Sequence, residues 1–127
     1  MKTSLFNDTI ENIRAAADII RDGGLVAFPT ETVYGLGADA LNSEAARKVY
    51  AAKGRPSDNP MIVHIADTSE LAKLTDDISS DMRALMDAFW PGPMTMIVRR
   101  KDIVPDVTTG GLDTVGVRLP SSEVARA

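Results

Sequence analysis

Apolar positions along the chain switch repeatedly between helical spacing and short continuous runs. Ile10, Ile13, Ala17 and Ile20 recur at helical intervals, which predicts an amphipathic helix. Asp8-Thr9-Ile10-Glu11 reads as its capping box, with Asp8 as the cap, and Gly23-Gly24 ends it. Residues 25–28 are apolar and predict a short buried strand. A second helix is expected over residues 43–53, capped by Asn42 or Ser43 and stopped at Gly54. Residues 61–65 read as the next buried strand, and Asp67-Thr68-Ser69-Glu70 opens a short helix through about Leu74. Ser79 or Ser80 caps another helix, whose apolar face is Met82, Leu85, Met86 and Phe89. Residues 94–98 and 114–119 are further strands.

Short strands between helices, in mixed order, predict a layered α/β domain of the α+β type. Residues 121–127 resemble a helix cap and first turn. An isolated turn does not repay its nucleation cost, so residues 1–127 are expected to be one C-terminally truncated domain. Loss of sheet strands would leave an apolar edge open to self-association.

Composition narrows the function classes. The 127 residues carry a formal charge of −4 and no cysteine. A disulfide scaffold and a thiolate metal site are therefore excluded. No apolar run approaches the roughly 18 residues of a membrane helix. The first residues lack the apolar core of a signal peptide, so a cytoplasmic location and no membrane partner are expected. Mild acidity gives no whole-molecule attraction to nucleic acid, and any anion site must be a local cationic cluster.

Four stretches carry candidate chemistry. In "PTETVYGLG", Pro29 ends the first strand, and Thr30, Glu31 and Thr32 gather hydroxyls and a carboxylate at its carboxyl end. Gly35 and Gly37 allow conformations closed to other residues and close approach of a ligand to the backbone. A polar turn is the plainer reading. In "KGRPSDNPMIVHI", Lys53 and Arg55 flank Gly54 beyond a helix end, as a point charge and a bidentate fork for phosphates; favouring the helix dipole is the alternative. His64, the single histidine, reads first as a satisfied core residue, and zinc is not expected beside it. Arg118, inside an apolar strand, requires an anionic partner, either a structural carboxylate or a ligand. Trp90-Pro91-Gly92-Pro93 reads as a rigid turn with Trp90 in the core, and Arg99-Arg100-Lys101 as a solvated turn.

In order, "PTETVYGLGADA", "KGRPSDNPMIVHI", "WPGPMTMIV" and "VGVRLP" closely resemble the YrdC family, the threonylcarbamoyl-AMP synthases, over about residues 23–120. The resemblance implies a twisted mixed sheet flanked by helices, with a concave central cavity. It implies that L-threonine, bicarbonate and ATP are joined into threonylcarbamoyl-AMP and pyrophosphate, after which downstream tRNA-modification proteins pass the group to an adenosine beside the anticodon. Lys53 and Arg55 would hold the phosphates and carry catalysis, and Asn59 and Thr114 would position the nucleotide. Thr32, Tyr34, His64 and Arg118 would face the threonine. Magnesium would accompany ATP, and Glu31 is the one side chain considered for it. The family's Ser-x-Asn segment, which completes the nucleotide site, lies beyond this chain, so these residues alone are expected to bind weakly. A tRNA- or double-stranded-RNA-binding module, and a carbamoyl-transfer domain of the hydrogenase-maturation kind, are the competing readings.

Overall fold

Helix caps and strand alternation account for the architecture seen in the computed structural model, which describes residues 2–127. The chain runs α1 (Ile10–Arg21), β1 (Val26–Phe28), β2 (Gly35–Gly37), α2 (Ser43–Lys53), β3 (Ile62–His64), a 3-10 helix (Thr68–Lys73), α3 (Ser80–Phe89), β4 (Met96–Arg99), α4 (Asp106–Thr109), β5 (Thr114–Arg118) and α5 (Glu123–Arg126). β1 and β2 form an antiparallel hairpin. The other sheet has the order β3-β5-β4, with β3 parallel and β4 antiparallel to β5. The expected mixed α/β fold is therefore present.

One face of the three-stranded sheet is the core. Val63, Met96, Val98, Val115 and Val117 pack with Leu71, Leu74, Met86, Trp90, Val104 and Leu119. Each such side chain contributes about 1.5–3 kcal/mol by leaving water. The intervening residues, including Ile62, Ile97 and Thr114, stand on the other face and are exposed. Strand periodicity alone imposes that division.

Most expected elements recur with shifted ends, and the differences have physical causes. Thr9 rather than Asp8 caps α1, its Oγ1 accepting from the Asn12 amide at 3.3 Å. Asn42 caps α2 by accepting from the Glu44 and Ala45 amides, and Gly54 closes it in the left-handed conformation at φ 59°. Asp67 caps a 3-10 helix, and Glu70 reaches back to the Ala66 amide at 3.3 Å, one residue beyond the usual box. On α3 only Met86 is fully buried, while Leu85 and Phe89 face solvent.

β2 and α4 are the elements that the apolar pattern did not announce. Gly35-Leu36-Gly37 is too short and too rich in glycine to read as a strand, yet it pairs with Val26 through Phe28. Gly37 needs room there rather than unusual torsion, because a Cβ would collide with the Phe28 ring and its φ is not positive. Gly110 needs both: it has φ 62°, and a Cβ would sit 2.8 Å from the Asp58 carbonyl oxygen. Among the described residues no helix is long and apolar enough to cross a membrane.

The two sheet faces predict opposite mutational sensitivities. Val117 is fully buried and Ile97 is 61% exposed. Val117→Ala is expected to cost about 2 kcal/mol and Ile97→Ala less than about 0.5 kcal/mol, read from denaturant midpoints at constant m. Equal losses at the two positions would contradict the assignment of faces.

Candidate functional site

The uncovered face of the β3-β5-β4 sheet collects three of the residues singled out in the sequence. Parallel register sets His64 beside Arg118 and Ile62 beside Gly116, while β4 sets Ile97 against Gly116 and Arg99 against Thr114. Thr114, Gly116 and Arg118 then share one side of β5, with Thr114 at its amino end and Arg118 at its carboxyl end. Four residues of extended chain separate these two by about 13 Å. The floor between them is low, since Gly116 presents no side chain between Ile62 and Ile97.

The carboxyl end of this face is closed by the β1-β2 hairpin. Arg118 donates from Nη2 to Glu31 Oε1 and from Nε to the Gly92 carbonyl at 3.2 Å. Glu31 Oε2 accepts from the Ser121 amide and from the Ser121 hydroxyl at 2.7 Å. Ser122 Oγ donates to the Pro29 carbonyl at 3.1 Å. The Phe28 and His64 rings meet edge-on, with centroids 6.1 Å apart. Within the hairpin loop Thr30 Oγ1 donates to the Val33 carbonyl at 2.6 Å and accepts from the Thr32 amide. Thr32 and Tyr34 project outward, Tyr34 being 77% exposed.

Electrostatics here is dominated by the Glu31–Arg118 pair, whose side chains are 20% and 11% exposed. Burial alone would raise the Glu31 carboxyl, but the hydrogen bonds from Ser121 and the Arg118 charge hold it below its ordinary value. His64 is pushed down, first by burial and then by the Arg118 cation, with Glu31 opposing. It is therefore neutral at pH 7 and able to donate one hydrogen bond and accept another without carrying charge.

The amino end of the face is bordered by the loop after α2. Gly54 turns the chain, and Arg55 donates from Nη2 to the Pro60 carbonyl at 2.9 Å. Arg55 Nε is buried and has no partner in the protein. Tyr50 donates its hydroxyl proton to the Asn59 carbonyl at 2.9 Å. Burial raises the Tyr50 phenol, against the nearby Arg55 charge and with that of Asp58. Lys53 and the Asn59 side chain are exposed. The Met61 amide donates to the Thr108 carbonyl at 3.0 Å, which fixes where the loop enters β3.

The expected residues thus fall into two groups. His64, Arg118, Thr32 and Tyr34 belong to the carboxyl end and its hairpin; Lys53, Arg55, Asn59 and Thr114 belong to the amino end. They border an open face rather than an enclosed chamber. Two shallow hollows lie elsewhere: one of about 300 Å³ is lined by Asp76, Asp77, Arg99, Arg100, Lys101 and Asp102. The other, of about 310 Å³, is lined by Ala66, Glu123, Arg126 and Ala127.

Three readings of single residues change. Glu31, considered for magnesium, has both oxygens engaged by Arg118 and Ser121. Among the described residues no group of three His, Asp or Glu side chains could hold a metal ion, so the donor set does not fit a protein-held metal. Arg100 and Lys101 are also not simply solvated. Arg100 pairs with Asp106 and donates to the Val104 and Leu112 carbonyls; Lys101 donates to the Ala72 carbonyl at 2.7 Å. Ser121 and Tyr50, which order the two ends, were not foreseen. Only serine's place right after Pro120 hinted at the first, and nothing local marked the second.

Comparison with known proteins assigns the chain to a family. Residues 18–127 match the Sua5/YciO/YrdC family model, described as telomere recombination. The chain is 54% identical over 113 residues to a threonylcarbamoyl-AMP synthase of Pyrococcus abyssi, covering 89% of this chain and 33% of that protein. It is 52% identical over 116 residues to the Bacillus subtilis protein of the same name, covering 91% and 34%. The crystal structure of P. abyssi Sua5 complexed with L-threonine superposes with a TM-score of 0.90 at 50% identity, over 97% of this chain and 36% of that one. The chain therefore spans about a third of the length of these relatives.

Acidification tests the ionic end directly. His64 and Glu31 are both held below their ordinary values of 6.5 and 4.5. The folded chain then binds fewer protons than the unfolded chain, so stability is lost as pH falls. Loss is expected to begin below pH 6.5 through His64, with a further decline below pH 4.5 through Glu31. Denaturant titration at stepped pH should show the upper part flattened in His64→Gln. A histidine NMR midpoint at or above 6.5 would contradict the arrangement.

Proposed function

Because the chain belongs to the Sua5/YciO/YrdC family, we propose that the protein containing it makes threonylcarbamoyl-AMP and pyrophosphate from L-threonine, bicarbonate and ATP, and that the open face is where the reactants meet. Threonine's amine attacks the bicarbonate carbon, and loss of water leaves a carbamate. A carbamate oxygen attacks the α-phosphorus, and the bond to pyrophosphate breaks. Charge builds on phosphate oxygens, so the protein's task is positioning and electrostatic stabilisation.

The observation that carries this reading is the pair of ends about 13 Å apart on one strand face. At the carboxyl end Arg118 is proposed to take the threonine carboxylate, with Thr32, Tyr34 and neutral His64 around the rest of the amino acid. At the amino end Lys53 and Arg55 are proposed to hold phosphates, with Asn59 and Thr114 against the nucleotide. The unpartnered Arg55 Nε supports an anionic ligand there. Magnesium, when it accompanies ATP, is carried by phosphates and water, and no step is assigned to a protein-held ion. The mixed anhydride product suits transfer to a tRNA adenosine by partner proteins.

Pyrophosphate release by the full-length protein tests the proposal. It is expected to require threonine and bicarbonate together. Lys53→Ala, at an exposed position, should lower it by about a hundredfold without unfolding, the usual loss for one stabilising donor. Release that ignores threonine, or that survives unchanged in a folded Lys53→Ala protein, would remove the assignment.

A further inference from the structure

Glu31 receives three donors from residues 87 and 90 positions further along the chain. None of them is needed to form the hairpin, whose strands are joined by backbone pairing alone. The bonds converge instead on the end of β5. They fix Arg118 between Glu31 Oε1 and the Gly92 carbonyl, and they fix Ser121 beside it. Arg118 Nε and Nη2 are thereby occupied, while Nη1 has no protein partner among the described residues.

We propose that Glu31 is a positioning residue, which locks the Arg118 guanidinium so that Nη1 is presented to the carboxylate of an incoming amino acid. This rests on the synthase reading given above. A long cationic side chain left free samples many rotamers, and a partner carboxylate fixes its plane before the ligand arrives. Ser121 holds the other oxygen, so the Glu31 carboxylate keeps its own orientation. The hydroxyls of Thr30 and Thr32 lie in the same loop, and turning Glu31 outward would also release the tie from Ser121. Glu31 therefore acts by holding the arginine, rather than by filling the place of the ligand.

Calorimetric titration of the full-length protein with L-threonine and, separately, with ATP distinguishes these roles. Glu31→Gln is expected to raise the threonine Kd by about tenfold or more, as for other residues that orient a binding group, and to leave the ATP Kd within about twofold. Ser121→Ala, which keeps the arginine's carboxylate but loosens it, should weaken threonine by about threefold. Glu31→Gln should also shift the His64 NMR midpoint further down, because Glu31 is the charge that opposes Arg118 at that ring. Unchanged or tighter threonine binding by folded Glu31→Gln overturns the proposal, tighter binding indicating that Glu31 competes with the ligand. Should that variant not fold, unchanged threonine affinity in Ser121→Ala overturns it. A wild-type protein with no affinity for threonine overturns the synthase reading itself and this proposal with it.

Discussion

A strand has two sides, and β5 is committed on both. Val115 and Val117 must stay in the core, so Thr114, Gly116 and Arg118 have no freedom to leave the opposite face. A slip of one residue would bury the arginine and expose both valines. Because β3 runs parallel to β5, the same constraint holds His64 next to Arg118. The proposed chemistry is thus indexed by the register of a hydrophobic sheet, and the loops only complete it.

What the loops add is charge management. Arg118 lies in a largely apolar strand, and leaving it unpaired there would be costly. Glu31 and the Gly92 carbonyl meet that charge, and the Ser121 donors hold the Glu31 carboxylate in place. A partly buried ion pair is weak evidence of stability, since desolvation offsets much of its attraction. Its value here is orientation: it decides how the hairpin meets the end of the sheet. It also explains how the final turn is anchored, since Ser121 and Ser122 are bonded to Glu31 and Pro29, and Arg126 reaches the Ala66 carbonyl. A lone turn would not persist without such contacts.

Elements with a strong period or a good cap were legible in the sequence. α2 shows this best, with Asn42, Gly54 and the residues between them all pointing to one answer. The strands were legible because continuous apolar runs have few alternatives in a short chain, but their burial was not: β1 has no fully buried residue and β3 buries only Val63. β2 was hidden because Gly37 makes room for the Phe28 ring, a tertiary demand that propensity does not encode. α4 was hidden because its buried side chains are threonines, Thr108 and Thr109. Candidate residues at a motif were visible individually, and the resemblance sorted them into a nucleotide group and a threonine group, but the separation of Thr114 and Arg118 along one face of β5 was not visible, as it depends on strand register. Arg118's need for an anion was clear; that Glu31 would meet it, 87 residues away, was not.

Thr108 has a consequence for how such chains diverge. It is buried; its carbonyl accepts from Met61, and its hydroxyl donates to the Ala40 carbonyl at 2.6 Å. Two residues on, Gly110 rests against Asp58. The segments around residues 40, 58–61 and 108–110 are therefore cut to one another's length. An insertion or deletion in any one of them would have to be matched in the others, so variation in loop size among descendants should be concerted here.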